Sequence, residues 1–320
     1  MRSMTRWSSF LPLLPFNAGP AHPAPQDPTD GPDNEGPLTF TGSVAMVVLH
    51  ATVLDTKGRL VQGLAQADFR VAEAGAQQRI CLFRSDDIPV SVGVIVDNSG
   101  SMRSKRESVA GAVRAFIQTS NPAEELFVIN FDDRPASGLP EMRLFSASLM
   151  ELDKALSSAF TGGRTALYAA ISLGLSQLRK TTHDKKVPIV VGDGGDNASI
   201  LSLDALKQEV RRSDAMIYTI GLFDDKDRNP QVLKQMTGMT GGNAYLPSQP
   251  GDAVAVCERI AKEIRSQYTL GYVPFDITPD NTYRKIDVTA VAPRHGKLLV
   301  RIREGYIAVS DRPRAIEVDK

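Results

Sequence analysis

A run of five apolar residues that ends at an acid constrains the fold of this chain more than any other feature. Val92–Val96 contains no polar side chain, which is typical of a strand covered on both faces in a parallel sheet. Asp97, Ser99 and Ser101 follow at every second position. Ligands bind beyond the carboxyl ends of strands in open α/β sheets, so these oxygen-bearing side chains predict part of a site for a hard cation. Asp and Ser also form caps and turns, so this segment alone does not establish such a site.

Strands and helices alternate from residue 90 to residue 267. Apolar runs typical of strands lie at 92–96, 126–131, 187–191 and 216–220. In the segments between these runs, apolar residues recur at the spacing of a helix. This alternation predicts an α/β fold with a doubly wound, mostly parallel sheet and helices on both faces. Residues 142–145 are predicted to add an antiparallel strand at its edge.

Strand character without helical periodicity flanks this region on both sides. Residues 38–88 predict a small β module, and residues 268–309 contain further strands. Each set is too small to bury much apolar surface alone. Because the termini of a doubly wound domain can lie close together, we expect the two sets to pair into one β sandwich.

The two ends of the chain are predicted to lie outside these units. Residues 1–37 begin with basic residues and continue through the apolar segment Phe10–Phe16 to small residues, which is the outline of a secretory signal. Two prolines interrupt the apolar segment, so a disordered leader is the alternative. We expect export to the periplasm or the extracellular space, with a cytoplasmic location as the alternative. Residues 310–320 are predicted to form a polar tail.

Composition narrows the range of partners. Lys and Arg together number 37, as do Asp and Glu, for a net charge of +0. Without a basic patch, we expect no nucleic acid partner, and no apolar stretch has the length of a membrane span. Cys81 and Cys257 could pair in an oxidising compartment. The helical spacing of apolar residues around Cys257 favours a small buried thiol instead, and His50 is predicted to be a packed strand residue.

Two later segments extend the predicted cation site. Thr165 follows two glycines at the start of a helical segment, where its hydroxyl can face a ligand or cap the helix. Asp193 ends another apolar strand and precedes two glycines. Both segments are expected to meet Asp97 at one edge of the sheet. A solvated turn is the preferred interpretation of Asp132-Asp133. Asp132, which follows a strand, could instead border the same site, and Asp196 could do so by supporting the ligands.

These segments, in this order, carry a resemblance to a known family. Asp97-x-Ser99-x-Ser101, Thr165 within Gly-Arg-Thr-Ala-Leu, and Asp193-Gly resemble the metal-ion-dependent adhesion site of von Willebrand factor A-type domains. The resemblance covers residues 90–267. The flanking segments are similar to a bacterial group of A-domain proteins, often exported and first noted in Acidobacteria.

The resemblance implies a Rossmann-like domain that binds a divalent cation, Mg²⁺ foremost, with Mn²⁺ and Ca²⁺ as alternatives. It implies that Ser99 and Ser101 bind the cation directly and that Thr165 binds directly or through water. Asp97 and Asp193 would act through water or hydrogen bonds. An open coordination position would then recruit an Asp or Glu side chain of a partner protein.

Two positions depart from the family pattern. Gly192 stands where the family usually has Ser or Thr before Asp-Gly, and Ala169 stands where the bacterial group often has an acid. Neither is a core ligand. The missing hydroxyl at Gly192 predicts a less steady loop and a modest cation affinity.

Three functional classes follow, and a cation-dependent binding or adhesion module without catalytic residues is preferred. The first alternative is a hydrolase that uses the metal to activate water. The four histidines are scattered, and the chain has no Gly-x-Ser-x-Gly or His-Glu-x-x-His motif. The second alternative is a non-catalytic subunit of an ATPase-driven assembly. The chain has no P-loop, so nucleotide chemistry would belong to another chain.

Overall fold

The computed structural model describes residues 46–121, 123–157, 162–223 and 230–309. The predicted leader and the polar tail lie outside the described residues. The strands are β1 Val47–Leu54, β2 Phe69–Glu73, β3 Ala76–Gln78, β4 Ile80–Arg84, β5 Val90–Asp97, β6 Glu125–Phe131, β7 Pro135–Ser137, β8 Lys185–Gly192, β9 Tyr218–Gly221, β10 Ala244–Tyr245, β11 Tyr268–Tyr272, β12 Tyr283–Ala290, β13 Leu299–Arg301 and β14 Gly305–Ile307. The α-helices are α1 Arg106–Thr119, α2 Leu149–Ser157, α3 Leu167–Leu178, α4 Leu203–Arg212, α5 Pro230–Thr240 and α6 Ala253–Arg265.

A six-stranded sheet contains the apolar runs, in the order β10-β9-β8-β5-β6-β7. Its first five strands are parallel to their neighbours, and β7 is antiparallel to β6. Every residue of β5 and β8 is buried, as expected for strands covered on both faces. The predicted α/β fold with a mostly parallel sheet is therefore confirmed.

The predicted edge strand at residues 142–145 is wrong. This segment forms turns, and the antiparallel edge strand is β7 instead. Met142 is 98% exposed, whereas the Phe145 ring packs against Phe127 of β6 with 5.8 Å between the ring centroids, so the segment covers part of the sheet without pairing with it. Only Ser146 joins the sheet here, through a single bridge to Leu126.

Two four-stranded antiparallel sheets form a β sandwich, with the orders β13-β1-β11-β4 and β14-β12-β2-β3. β11 pairs with β1 on one side and β4 on the other, and β12 lies between β14 and β2. One apolar cluster joins both sheets, and the Phe69 and Tyr268 rings lie 5.1 Å apart within it. The predicted pairing of N- and C-terminal strands is confirmed, while the predicted domain boundaries stay predictions.

A buried carboxylate on α6 joins the parallel sheet to the sandwich. Glu263 accepts hydrogen bonds from Tyr218 at 2.7 Å and from Tyr245 at 2.8 Å. The guanidinium of Arg301 on β13 forms an ion pair with the same carboxylate. Because a buried charge needs this full set of partners, Glu263 fixes α6 between the two parts of the fold.

The isolated polar residues of the sequence are packed as expected. His50 is buried and lies 3.2 Å from the Thr269 hydroxyl. Neither cysteine forms a disulfide, since Cys81 is exposed on β4 and Cys257 is buried in α6. Burial raises the pKa of the Cys257 thiol to about 12, which is the behaviour of an inert core thiol.

A chain that ends at Gln267 should aggregate. The truncation removes β11 from between β1 and β4 and exposes two strand edges together with the apolar face beneath them. Size-exclusion chromatography with light scattering measures the outcome, and a chain ending at Val309 is the control. A soluble, monodisperse Gln267 truncation would contradict the shared sandwich.

The stability of the protein should depend on pH through Lys185. Burial lowers the pKa of Lys185 to about 7, although Asp87 and Glu124 act in the opposite direction. The unfolded chain keeps this proton to about pH 10. Between those values the unfolded state binds more protons, so the contribution of Lys185 to stability is unfavourable near pH 7 and recovers as the pH rises.

Lys185→Met should therefore raise the free energy of unfolding near pH 7 by roughly 1–3 kcal/mol and lose this advantage by about pH 10. Denaturant unfolding across this pH range measures the difference between the variant and the parent. The exposed Lys180→Met is the matched control and should show no such trend. A pH-independent difference at Lys185 would contradict the assignment.

Candidate functional site

Two neighbouring strands bring the predicted acids to one edge of the sheet. β5 and β8 run parallel and adjacent, with Val96 opposite Val191. Asp97 is the last residue of β5, and Asp193 directly follows the end of β8. The carboxyl ends of both strands therefore place the two carboxylates beside each other, at the edge where α/β sheets bind ligands.

A chain of hydrogen bonds joins four of the five predicted residues. The Asp97 carboxylate accepts from the Ser99 N–H at 2.8 Å. The hydroxyls of Ser99 and Ser101 lie 3.2 Å apart, and Ser101 donates to the Asp193 carboxylate at 2.6 Å. The other oxygen of Asp193 accepts from the Gly195 N–H at 3.0 Å. The side-chain oxygens of two loops thus converge on one point.

Hydrogen bonds of Asn98 and Asn130 fix the loop after β5, and neither residue was predicted from the sequence. The Asn98 N–H donates to the carbonyl of Phe131 at 2.7 Å, and its side chain donates to Asn130 at 3.1 Å. Asn130 in turn donates to the carbonyl of Ala155 on α2 at 2.8 Å. The backbone carbonyl of Asn98 accepts from the Gly162 N–H at 2.9 Å, which connects this loop to the segment that contains Thr165.

Thr165 is fixed by its backbone and does not cap the helix. α3 begins at Leu167, its N-cap is Ala166, and no side chain caps it at that position. The Thr165 N–H donates to the Asn197 side chain at 2.8 Å, and the Thr165 carbonyl accepts from Asn197 at 2.9 Å and from Ala198 at 3.1 Å. The helix-capping role that the sequence left open is therefore not the one Thr165 has.

The loop after Asp193 also caps α3 from a distance in sequence. Asp196 accepts from the Tyr168 N–H at 2.8 Å, and Ser199 accepts from the Ala169 N–H at 3.0 Å. The Ser199 hydroxyl donates to Asp196 at 2.6 Å. Asp196 thus supports the segment next to Thr165, as predicted for a bordering residue. The clustering of Asp, Asn and Ser after a Gly pair was the available signal for this function.

Asp132 and Asp133 support the same segment from the end of β6. The Asp132 carbonyl accepts from the Ala166 N–H at 2.8 Å. The Asp133 side chain accepts from the Arg164 N–H at 2.7 Å, and its carboxylate pairs with the Arg164 side chain at 3.4 Å. Asp132 therefore borders the site through its backbone, and its side chain is not among the converging oxygens.

Gly192 has a steric reason to lack a side chain in this structure. A Cβ atom at Gly192 would lie 3.0 Å from the Cβ atom and 3.0 Å from a carboxylate oxygen of Asp97. The glycine therefore lets Asp97 approach the end of β8 closely. A larger side chain at this position would crowd Asp97.

The charge of Asp97 is poorly compensated. Burial raises the pKa of Asp97 to about 6. The hydrogen bonds from Ser99 and the charge of Lys105 lower this pKa, and the charge of Asp193 raises it further. Two neighbouring carboxylates in a buried position favour a cation between or beside them.

The chemistry of the five predicted residues fits a hard cation, although only the side chains of four of them are joined by hydrogen bonds. The five residues offer carboxylate and hydroxyl oxygens and no nitrogen or sulfur, which are the ligands of Mg²⁺ and similar ions. Asp97, Ser99, Thr165 and Asp193 are buried, and Ser101 is the most exposed of the five. Within the described residues, no group of three or more His, Cys, Asp or Glu side chains is placed to hold a metal. Any cation here would depend on the hydroxyls.

A second polar cluster lies at the opposite edge of the sheet, near the amino end of β5. Ser91 contacts Glu125 at 2.8 Å and His183 at 3.2 Å, and Thr181 also bonds to Glu125. This cluster pairs a serine with a histidine, an arrangement the sequence did not reveal. Ser91 has no exposed surface, so a substrate does not reach its hydroxyl in this structure.

The comparison with protein families identifies the central part of the chain. Residues 92–195 match the model of the von Willebrand factor type A domain. The match includes all five predicted site residues. No curated protein matches the chain. The narrower resemblance to a bacterial group of A-domain proteins stays a prediction.

Three solved structures resemble this chain to different degrees. The von Willebrand factor type A protein from Catenulispora acidiphila aligns over 85% of this chain and 76% of its own, with a TM-score of 0.50 and 12% identity. The PilB minor pilin from Streptococcus sanguinis covers 56% of this chain and 62% of its own, at a TM-score of 0.46 and 11% identity. The vWF domain of the pili tip protein Mfa5 from Porphyromonas gingivalis covers 56% and 95%, at 0.44 and 12%. Only the alignment with the Catenulispora acidiphila protein supports a similar fold, and at 12% identity it does not extend to function.

In the part of the chain that the structure describes, no helix combines the length and the apolar composition needed to cross a bilayer.

Asn197→Ala should loosen the site without removing any of the five oxygen-bearing residues. It removes the acceptor of the buried Thr165 N–H, a loss that costs about 1–3 kcal/mol. We expect a lower free energy of unfolding, faster amide hydrogen exchange at Thr165 and a weaker response to Mg²⁺. Asn197→Asp retains an acceptor oxygen and should preserve slow exchange. Equal rates of amide hydrogen exchange at Thr165 in the parent and in Asn197→Ala would contradict the role of Asn197 in fixing Thr165.

Proposed function

We propose that this protein is a divalent-cation-dependent protein-binding module. The observation that carries the proposal is the hydrogen-bonded series Asp97–Ser99–Ser101–Asp193 at the carboxyl edge of the parallel sheet. It joins two loops that are distant in sequence, and Thr165 is clamped to the second of them. The match of residues 92–195 to the model of the von Willebrand factor type A domain supports the same function.

The five residues would divide the work of holding the cation. Ser99 and Ser101 supply hydroxyl oxygens next to each other, and Thr165 supplies a third from the facing loop. Asp97 and Asp193 supply negative charge and keep the serines oriented. The cation, Mg²⁺ foremost with Mn²⁺ or Ca²⁺ as alternatives, supplies an attachment point for an external carboxylate.

The expected ligand is therefore an Asp or Glu side chain of a partner protein. Direct binding through neutral hydroxyls leaves much of the cation's charge for an external anion. Ser101, the most exposed member of the set, marks the side from which the partner would approach. Export of the protein, proposed from the leader, would put this surface in contact with extracellular or periplasmic partners.

The enzymatic alternatives gain no specific support from the described residues. The paired serine and histidine of the second cluster are not at the candidate site, and Ser91 is fully buried. The absence of catalysis stays a prediction, as does the possibility that an ATPase partner acts on this chain.

Calorimetric titration of Mg²⁺, Mn²⁺ and Ca²⁺ into metal-stripped protein tests the proposal. The parent should bind, and Ser99→Ala combined with Ser101→Ala should weaken binding at least tenfold, or about 1.4 kcal/mol. Asp97→Ala should have the same effect and leave the fold intact, because Asp97 lies at the edge of the sheet.

Ser104→Ala is the matched control, since Ser104 is exposed in the same short helical segment, Gly100–Lys105. It should bind cations like the parent. Equal binding by the parent and by the Ser99/Ser101 double variant would show that the cation is held elsewhere. In a pull-down, retention of a protein partner should be lost in EDTA.

A further inference from the structure

Lys105 is buried at the end of the short helical segment that contains Ser101. This segment, Gly100–Lys105, begins directly after Ser99, and only 2% of Lys105 is exposed. The Lys105 ammonium donates to the carbonyl of Leu222 at 3.0 Å, just beyond the end of β9. Lysine is rarely buried unless its charge is paired. Because the Leu222 carbonyl is neutral, the charge of Lys105 is compensated from elsewhere in the fold.

Backbone contacts connect the position of this ammonium to the candidate site. The Leu222 N–H donates to the Gly192 carbonyl at 3.0 Å. A Cβ atom at Gly192 would lie 3.0 Å from a carboxylate oxygen of Asp97. Burial raises the pKa of Asp97, and the charge of Lys105 lowers it. Lys105 therefore acts on the site through its charge, from the side of β9.

Three buried charges determine how the site meets a cation. Asp97, Asp193 and Lys105 are each at most 5% exposed, so water and salt screen them weakly. Two carboxylates and one ammonium leave a single net negative charge, which a divalent cation would convert into a single net positive charge. Without Lys105, the same cation would be neutralised by the two acids, and little charge would remain to attract an external carboxylate.

The charges further out do not alter this comparison. Asp132 and Asp196 are half-buried, and the exposed Asp133 pairs with the exposed Arg164. They add to the field at the site, but they are the same whether or not residue 105 is charged. The effect of removing the Lys105 charge alone therefore has a definite sign for each ligand.

We propose that Lys105 is a fixed counter-charge that weakens the binding of the cation and strengthens the binding of the partner's carboxylate once the cation is present. This inference rests on the proposed function, because it assigns to Lys105 the balance between the two ligands of that same site. Lys105 contacts neither ligand. Its hydrogen bond to Leu222 keeps the ammonium in place while the cation binds and leaves.

The two ligands provide a readout that a purely structural function of Lys105 would not produce. If Lys105 only fixed the segment Gly100–Lys105 to Leu222, its loss would loosen the site and weaken both ligands. A counter-charge predicts changes of opposite sign. The change in free energy should be larger for the cation, which carries two charges, than for the singly charged carboxylate.

The test uses the full chain, stripped of metal, and the variant Lys105→Gln, which keeps a hydrogen-bond donor and removes the charge. Calorimetry measures Mg²⁺ binding, and NMR titration measures acetate binding at saturating Mg²⁺. Both are run above the pKa of Asp97, at about pH 8 and at constant ionic strength. We expect Lys105→Gln to bind Mg²⁺ at least tenfold more tightly than the parent and acetate at least threefold more weakly.

Two further variants connect these changes to the buried charge. Lys105→Arg keeps the charge, so both of its affinities should lie closer to those of the parent than to those of Lys105→Gln. Arg103→Gln removes one positive charge from an exposed position of the same segment and should change neither affinity by more than twofold. Lys105→Met replaces Lys105→Gln if circular dichroism shows that the amide disturbs the fold.

The outcomes separate this inference from the function on which it rests. If the parent binds Mg²⁺ and acetate but the uncharged variant weakens both or changes neither, the counter-charge is overturned and the binding module stands. An equal shift in Arg103→Gln would also overturn it, because the effect would then be one of overall charge. If the parent binds no divalent cation, or no acetate at saturating Mg²⁺, the proposed function itself fails, and the inference fails with it.

Discussion

The contact between Ser101 and Asp193 is the interaction on which the candidate site depends. It is a hydrogen bond of 2.6 Å between loops that leave two adjacent strands. It exists because β5 and β8 are parallel neighbours, so that their carboxyl ends coincide. The burial of every residue in both strands fixes their relative position. A site built on such strands is held more firmly than one built on loops alone.

The remaining residues of the site are placed by backbone hydrogen bonds rather than by packing. The backbone carbonyl of Asn98 accepts from the Gly162 N–H, and the side chain of Asn197 accepts from the Thr165 N–H. An amide side chain such as that of Asn197 suits this task because it offers both donors and an acceptor. The three loops consequently form one connected unit. A ligand that pulls on Asp193 would act on Thr165 through Asn197, and the loops should respond together to a cation.

Much of this architecture could be predicted from the sequence, and the failures have physical causes. Apolar runs as long as Val92–Val96 have few ways to be buried, so the parallel sheet followed from pattern alone. The edge strand at residues 142–145 did not, because this segment packs Phe145 against the sheet without pairing with it, while the true edge strand is the short, mostly exposed Pro-Ala-Ser of β7. The hydrogen bond between Asn197 and Thr165 was not predicted, because it depends on which two loops lie next to each other in the fold. The spacing of residues in the sequence does not contain that information.

Anomalous diffraction from crystals grown with Mn²⁺ would locate the proposed cation. We expect an anomalous peak enclosed by the hydroxyls of Ser99 and Ser101 and the segment of Thr165, with Asp97 and Asp193 beside it. The peak should disappear in crystals of the Ser99→Ala/Ser101→Ala variant. A well-diffracting parent crystal in which Mn²⁺ binds only at other positions would show that these residues do not form the cation site.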